Sequence, residues 1–142
     1  MIIMQKINLK EIKEIKSLGG SLSFFEFGKE LNFKIKRIYY IYKFSKQNRR
    51  GFHAHKDLKQ VMFCPYGKIE VEFNNGKEKK KYLLDSPTKI LVVEKGYWRE
   101  FISLEEGSIL CVGASDIYDE SDYIRNYDDY LKWEEEQNES AI

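Results

Sequence analysis

Alternation between apolar and polar residues over most of this 142-residue chain is the strongest constraint on its fold. A period of two marks half-buried strands, because successive strand side chains point to opposite faces. Lys68–Phe73 (KIEVEF) is the cleanest case, with Ile69, Val71 and Phe73 on one face. The same reading predicts strands over Ser21–Phe27, Lys36–Phe44, Lys59–Cys64, Lys77–Leu84, Lys89–Val93, Trp98–Ser103 and Ser108–Gly113. Turn signals separate them at Gly19-Gly20, Pro65-Tyr66-Gly67, Asn74-Asn75-Gly76, Lys95-Gly96 and Glu105-Glu106-Gly107. Asn and Gly tolerate the positive φ that tight hairpins need. Short strands punctuated this regularly predict an all-β sandwich or barrel. The ends break the pattern. Asn8–Lys16 reads as a short helix or irregular segment with a basic face. Ile124, Tyr127 and Leu131 fall at helical spacing, with Ser121 as the expected N-cap and Asp122 just inside. Residues 132–142 read as a flexible tail, and 1–142 as a single domain without a Pro/Gly/Ser-rich linker or repeat.

Composition excludes several function classes. Lys and Arg total 24 against 23 Asp and Glu, a net charge of +1, so no global basic field for nucleic acid exists. The Lys77–Lys81 cluster reads as a solvated hairpin rather than a nucleic-acid site. No apolar run approaches the ~20 residues of a membrane span. The first residues, MIIMQKINLK, lack a signal peptide's apolar core and cleavage site. Cys64 and Cys111 sit in apolar strand contexts and read as reduced thiols of a cytoplasmic protein.

The chain has only two histidines, and both fall in His53-Ala54-His55. In a strand they share one face, ~7 Å apart, close enough to flank one ion or small ligand. The bland alternative is two strand histidines that alternate by accident.

Four residues separate His55 from Gln60, and six more precede Gly67. This spacing resembles the first motif of the cupin superfamily, where Glu usually stands at the Gln position. Glu94-Lys95-Gly96-Tyr97-Trp98-Arg99 resembles the second motif, with Glu in place of its Pro and Arg in place of its His. Metal-binding cupins use three His and a carboxylate. Here an amide and a permanent cation take two of those places, and neither Gln60 nor Arg99 suits a metal. The expectation is a site without a metal or other cofactor, built for an anionic or enolate-like species.

Longer strings narrow the resemblance: KRIYYI from Lys36, RGFHAHK from Arg50, LKQV from Leu58, GYWRE from Gly96, and YDESDYIRNY from Tyr118. Together, over about Gly20 to Tyr130, they are similar to the FdtA/QdtA-like sugar 3,4-ketoisomerases. The resemblance implies a cupin jelly-roll β-sandwich with a short C-terminal helix, and a homodimer that exchanges N-terminal strands. It implies a dTDP-linked 4-keto-6-deoxyhexose substrate whose ketone moves from C4 to C3, with products feeding dideoxyaminosugar synthesis for surface glycans such as O-antigen.

Such a reaction takes the C3 proton, passes through an enediol and reprotonates C4, which calls for a base, a proton shuttle and donors to an oxyanion. His53 matches the position held to be the base in this group. His55, on the same face, would hold or protonate O3 or O4, and Tyr39 would donate to the enediolate. Arg37 and Arg50 are the candidates for the diphosphate, with Gln60 and Arg99 also lining the substrate. Arg99 together with Gly19 leaves the C4 epimer of the product open between gluco and galacto. The alternatives weighed are a nucleotide-sugar 3,5-epimerase and a cupin that only binds a nucleotide sugar. No chemical task attaches to Tyr118–Tyr127, which reads as a helix cap and packing element.

Overall fold

The computed structural model describes residues 6–94 and 96–140. Lys95 of the expected Lys95-Gly96 turn, the first five residues and the end of the expected tail lie outside them. The strands are β1 (Ile7–Glu11), β2 (Ile15–Ser17), β3 (Gly20–Leu22), β4 (Arg37–Phe44), β5 (Arg49–His55) and β6 (Gln60–Tyr66). They continue with β7 (Ile69–Asn74), β8 (Lys79–Leu84), β9 (Lys89–Val93), β10 (Trp98–Ser103), β11 (Ser108–Ala114) and β12 (Tyr123–Ile124), before helix α1 (Tyr127–Ser140). Two five-stranded antiparallel sheets form, ordered β1-β9-β6-β11-β4 and β12-β5-β10-β7-β8. From β4 to β11 the chain crosses between sheets at every step but β7–β8, which is the jelly-roll path.

The alternation places the core as the sequence predicts. Phe44, Met62, Cys64, Ile69, Val71, Phe73, Leu84, Leu91, Phe101, Leu110 and Val112 form one buried cluster between the sheets. Each outer face carries its own cover. Ile12, Leu31 and Phe33 pack on Val61, Ile90 and Val92 behind the first sheet. Tyr127, Tyr130, Leu131 and Trp133 of α1 pack with Ala54, Trp98 and Ile124 behind the second.

Several expectations are corrected. Asn8–Lys16 is not helical: β1 pairs with β9, and β2 with β3. Leu9 and Ile15 stay exposed, so the segment's alternation was too weak to signal a strand. The strand expected over Ser21–Phe27 ends at Leu22, and Phe25 turns to pack beside Phe63 instead. Pro65 lies inside β6, at a register shift against β11, where a missing N–H is tolerated. Ser121 caps nothing. Asp119 caps a 3-10 turn over Glu120–Asp122, Ile124 is in a strand, and Asn126 accepts from the Asp129 N–H at the start of α1. The expected tail is helical through Ser140, because its glutamates are good helix formers and Trp133 packs on the sheet.

One irregularity positions the histidines. Arg99 pairs with His53 but Glu100 pairs with Gly51, leaving Phe52 as an extra residue at φ 56°. Arg50 then pairs with Phe101, so the bulge puts Arg50 and His53 on the same face despite their odd spacing. Gly51 is therefore part of a bulge within β5. Its φ is 100°, and a Cβ there would lie 2.9 Å from the Arg99 carbonyl oxygen. Gly51→Ala is expected to destabilise the protein by about 1–3 kcal/mol. Urea unfolding reads this, and an unchanged midpoint would show that the bulge does not depend on glycine.

Candidate active site

Period two continues the inner face past the apolar core into a polar end. On β6 the inward residues run Cys64, Met62, Gln60; on β10 they run Ser103, Phe101, Arg99; on β4, Ile41, Tyr39, Arg37. Arg37, Ala114 and Gln60 form one cross-strand row of the first sheet, and His53, Arg99 and Phe73 form one of the second. Gln60 joins the two rows. Its Oε1 accepts from Arg99 Nη1, and its Nε2 donates to the Tyr39 hydroxyl at 3.2 Å. The small side chain of Ala114 leaves room between Arg37 and Gln60.

The structure thus brings His53, His55, Tyr39, Arg37, Gln60 and Arg99 to one end of the sandwich interior. Arg99 lies beside His53 as its cross-strand partner. Arg50 reaches the same face but is exposed, and among the described residues it has no ion pair. Arg49 points the other way, onto Glu100 Oε1 at 3.1 Å. Arg37 is bracketed by the rings of Tyr39 at 5.4 Å and Tyr118 at 5.5 Å. It also lines a cavity of about 140 Å³ with Asp116, Asp119 and Asp122.

Sequence reasoning missed Asp122 and Tyr123. β12 pairs Tyr123 with His55, which brings Asp122 Oδ2 to 2.8 Å from His55 Nδ1. The Tyr123 ring lies 4.4 Å from that of His55 and 5.2 Å from that of His53. Sixty-seven residues separate Asp122 from its partner, so no local spacing could show the contact. The resemblance of the YDESDYIRNY string was the available signal.

Arg99 is the site's least ordinary group. It is 1% exposed, and its hydrogen bonds go to neutral acceptors: Gln60 Oε1 and, from Nε and Nη2, the Tyr97 carbonyl at 3.2 and 3.0 Å. Among the described residues no carboxylate forms an ion pair with it. Burial pushes its pKa down to about 10, which leaves it cationic at neutral pH. A buried cation without a counter-ion is costly, and an anion entering the site would supply one.

Burial first, then Arg99 and His55, push His53 down to about 3. Burial pushes His55 down to about 4, against the opposing hydrogen bond to Asp122. Both rings are neutral at pH 7. His53 Nε2, His55 Nε2 and Arg37 Nε are buried without a partner among the described residues. Buried polar atoms normally have one, so these three mark where a polar ligand fits. Larger concavities of about 280 and 450 Å³ run along α1, but none of these atoms lines them. Among the described residues no group of three His, Cys, Asp or Glu converges as metal ligands, and no helix is long and apolar enough to cross a membrane.

Residues 5–135 match the family FdtA, described as WxcM-like, C-terminal. The chain belongs to this family. It is 41% identical over 127 residues, covering 89% of each chain, to the TDP-4-oxo-6-deoxy-α-D-glucose-3,4-oxoisomerase of Aneurinibacillus thermoaerophilus. Among solved structures it resembles QdtA, a sugar 3,4-ketoisomerase from Thermoanaerobacterium thermosaccharolyticum, in complex with TDP. The TM-score is 0.89 at 37% identity, over 95% of this chain and 98% of that one. A histidine-to-asparagine variant of QdtA holding TDP-4-keto-6-deoxyglucose matches with a TM-score of 0.89 at 36% identity, over 94% and 97%.

Depressed histidine pKa values make a stability prediction. Between pH 6.5 and about 4 the unfolded chain binds more protons at His53 and His55 than the folded one. Their contribution is complete above pH 6.5 and is lost as the pH falls. Each ring should account for about 1–2 kcal/mol of lost stability between pH 7 and 5. Urea titrations should therefore show a smaller acid loss in His53→Asn than in the wild type, and equal losses would contradict the depressed value.

Proposed function

We propose that this chain is a 3,4-ketoisomerase of a TDP-linked 4-keto-6-deoxyhexose, acting without a metal through an enediol. The observation that carries this reading is the pair of neutral buried imidazoles, with Nε2 atoms unpartnered among the described residues, beside a buried arginine that forms no ion pair among them. Family membership supplies the substrate class, since relatives of this kind are named for that reaction or solved with TDP or the keto sugar.

In this reading His53 Nε2 takes the proton from C3. The C3–H electron pair forms the C3–C4 double bond, and the C4 carbonyl electrons move onto O4. The resulting enediolate is an anion next to Arg99, which has no carboxylate within ion-pair distance among the described residues, and near the Tyr39 hydroxyl. Preorganised charge of this kind needs no reorganisation when the anion forms. The carbon proton returns from His53 to C4, the O3 hydroxyl proton passes by way of His55 to O4, and C3 becomes the new ketone, so the sum is an isomerisation. A neutral imidazole is already in its base form. Its low proton affinity in the empty site rises once negative charge develops beside it and offsets Arg99.

Gln60 holds Arg99 and Tyr39 in register and lines the sugar. Arg50, exposed and without an ion pair among the described residues, suits the diphosphate by forked hydrogen bonds. Arg37, with its buried free Nε, is better placed for a sugar oxygen than for a phosphate. Gln60 and Arg99, where cupins place a carboxylate and a third imidazole, support the absence of a metal from the mechanism. A homodimer with exchanged N-terminal strands also belongs to the proposal. It is supported by the β2–β3 hairpin, whose Ile15, Leu18 and Leu22 are exposed.

The test is an NMR time course with dTDP-4-keto-6-deoxyglucose in deuterated water. The C3 proton should disappear as a 3-keto product forms, and the C4 coupling will assign the epimer. His53→Asn should slow this by at least ~10²-fold. Exchange at C5 as well would indicate a 3,5-epimerase, and no exchange would indicate a binding protein.

A further inference from the structure

Asp122 has three attachments to the histidine strand. Its backbone carbonyl accepts from the Lys56 N–H at 3.0 Å, and its Oδ1 accepts from the Asp57 N–H at 2.8 Å. Its Oδ2 meets His55 Nδ1 at 2.8 Å. Donors from His55 and from the backbone of Asp57 and Lys56 outweigh the effect of burial and hold the carboxyl below its usual range, so it is ionised at neutral pH. A carboxylate only accepts hydrogen bonds, so the ring atom facing it must carry a hydrogen. A neutral imidazole has one N–H, and His55 is neutral at pH 7. His55 Nε2, buried and unpartnered, is then left bare.

From this we infer that Asp122 is a positioning residue that fixes His55 as the Nδ1–H tautomer, so that Nε2 faces the site as a proton acceptor. The consequence for the reaction rests on the ketoisomerase reading. A bare Nε2 can accept the proton that O3 gives up during the carbonyl shift and return it to O4, whereas an Nε2–H cannot take it. The site would then hold two acceptors at once, His53 for carbon and His55 for oxygen. Tyr123, packed edge-on against His55, tilted against His53 and paired to His55 through the backbone, keeps the second ring from turning over.

The carboxylate's other contact makes Asp122→Asn informative. The Asp57 N–H requires an oxygen at Oδ1, which leaves the amide's NH₂ facing His55 Nδ1. That arrangement makes Nδ1 an acceptor and moves the ring hydrogen to Nε2. The experiment is ¹⁵N NMR of histidine-labelled full-length protein at pH 7, with turnover measured in parallel. Wild-type His55 should show a protonated Nδ1 and a bare Nε2, and Asp122→Asn the reverse. The same variant should lose kcat by ~10²–10⁴-fold while KM stays within about threefold. Asp122→Glu should keep the wild-type tautomer and recover part of the rate.

Wild-type His55 found as the Nε2–H tautomer overturns the inference whatever the turnover. So does an Asp122→Asn variant that switches tautomer and keeps full kcat. A wild-type protein with the Nδ1–H tautomer but no ketoisomerase turnover supports the positioning role and overturns the reaction reading alone.

Discussion

The polar end of this sandwich is organised around one buried guanidinium. Arg99 sits at 1% exposure, and among the described residues its hydrogen bonds go only to an amide and a backbone carbonyl. Hydrophobic packing alone would not choose this, since a buried cation with no ion-pair partner lowers stability. Neighbouring features fit around it. Gln60 turns its oxygen to Arg99 and its NH₂ to Tyr39. The charge also helps hold His53 and His55 neutral, after the larger effect of burial. In the proposed mechanism, the enediolate is the anion this arrangement would stabilise.

The fold supports this through alternation on both faces of the same strands. Ala54 lies between the two histidines and faces the opposite way, into the cluster under α1; Trp98 precedes Arg99 and does the same. The Tyr130 hydroxyl donates to the carbonyls of Asn74 and Gly96, and the Gly96 N–H donates to the His55 carbonyl. The C-terminal helix thus acts as a backing plate for the strands that carry the imidazoles and the guanidinium. Rigid support of this kind keeps catalytic groups within the small tolerances that proton transfer needs.

Much of this was legible in the sequence where period two is strong. Ile69, Val71 and Phe73 are fully buried, as KIEVEF requires, and the strands around His53, Arg99 and Tyr39 lie where alternation and the motif strings put them. Legibility failed where the physics is not local. Leu9, Ile15 and Leu22 are exposed, so β1 to β3 had no clean buried face to advertise. The bulge at Phe52 shifts the phase of β5 and carries Arg50 to the histidine face, which a strict count of two forbids. Ser121 and Asp122 have the composition of a helix start, yet Asp122 serves a histidine far away in the chain.

The central claim is that Arg99 is retained for reaction rather than for stability. Replacing it together with its amide partner, as Gln60→Leu/Arg99→Met, removes the buried charge without stranding the Gln60 oxygen. Apolar replacement of buried polar partners is often neutral or stabilising by about 1–4 kcal/mol. The direct measurement is urea unfolding of the unliganded double variant beside the wild type, with turnover of the 4-keto sugar followed on the same samples. The account predicts stability equal to or above that of the wild type with turnover reduced at least ~10²-fold. A variant markedly less stable than the wild type that still turns over at the wild-type rate would contradict it.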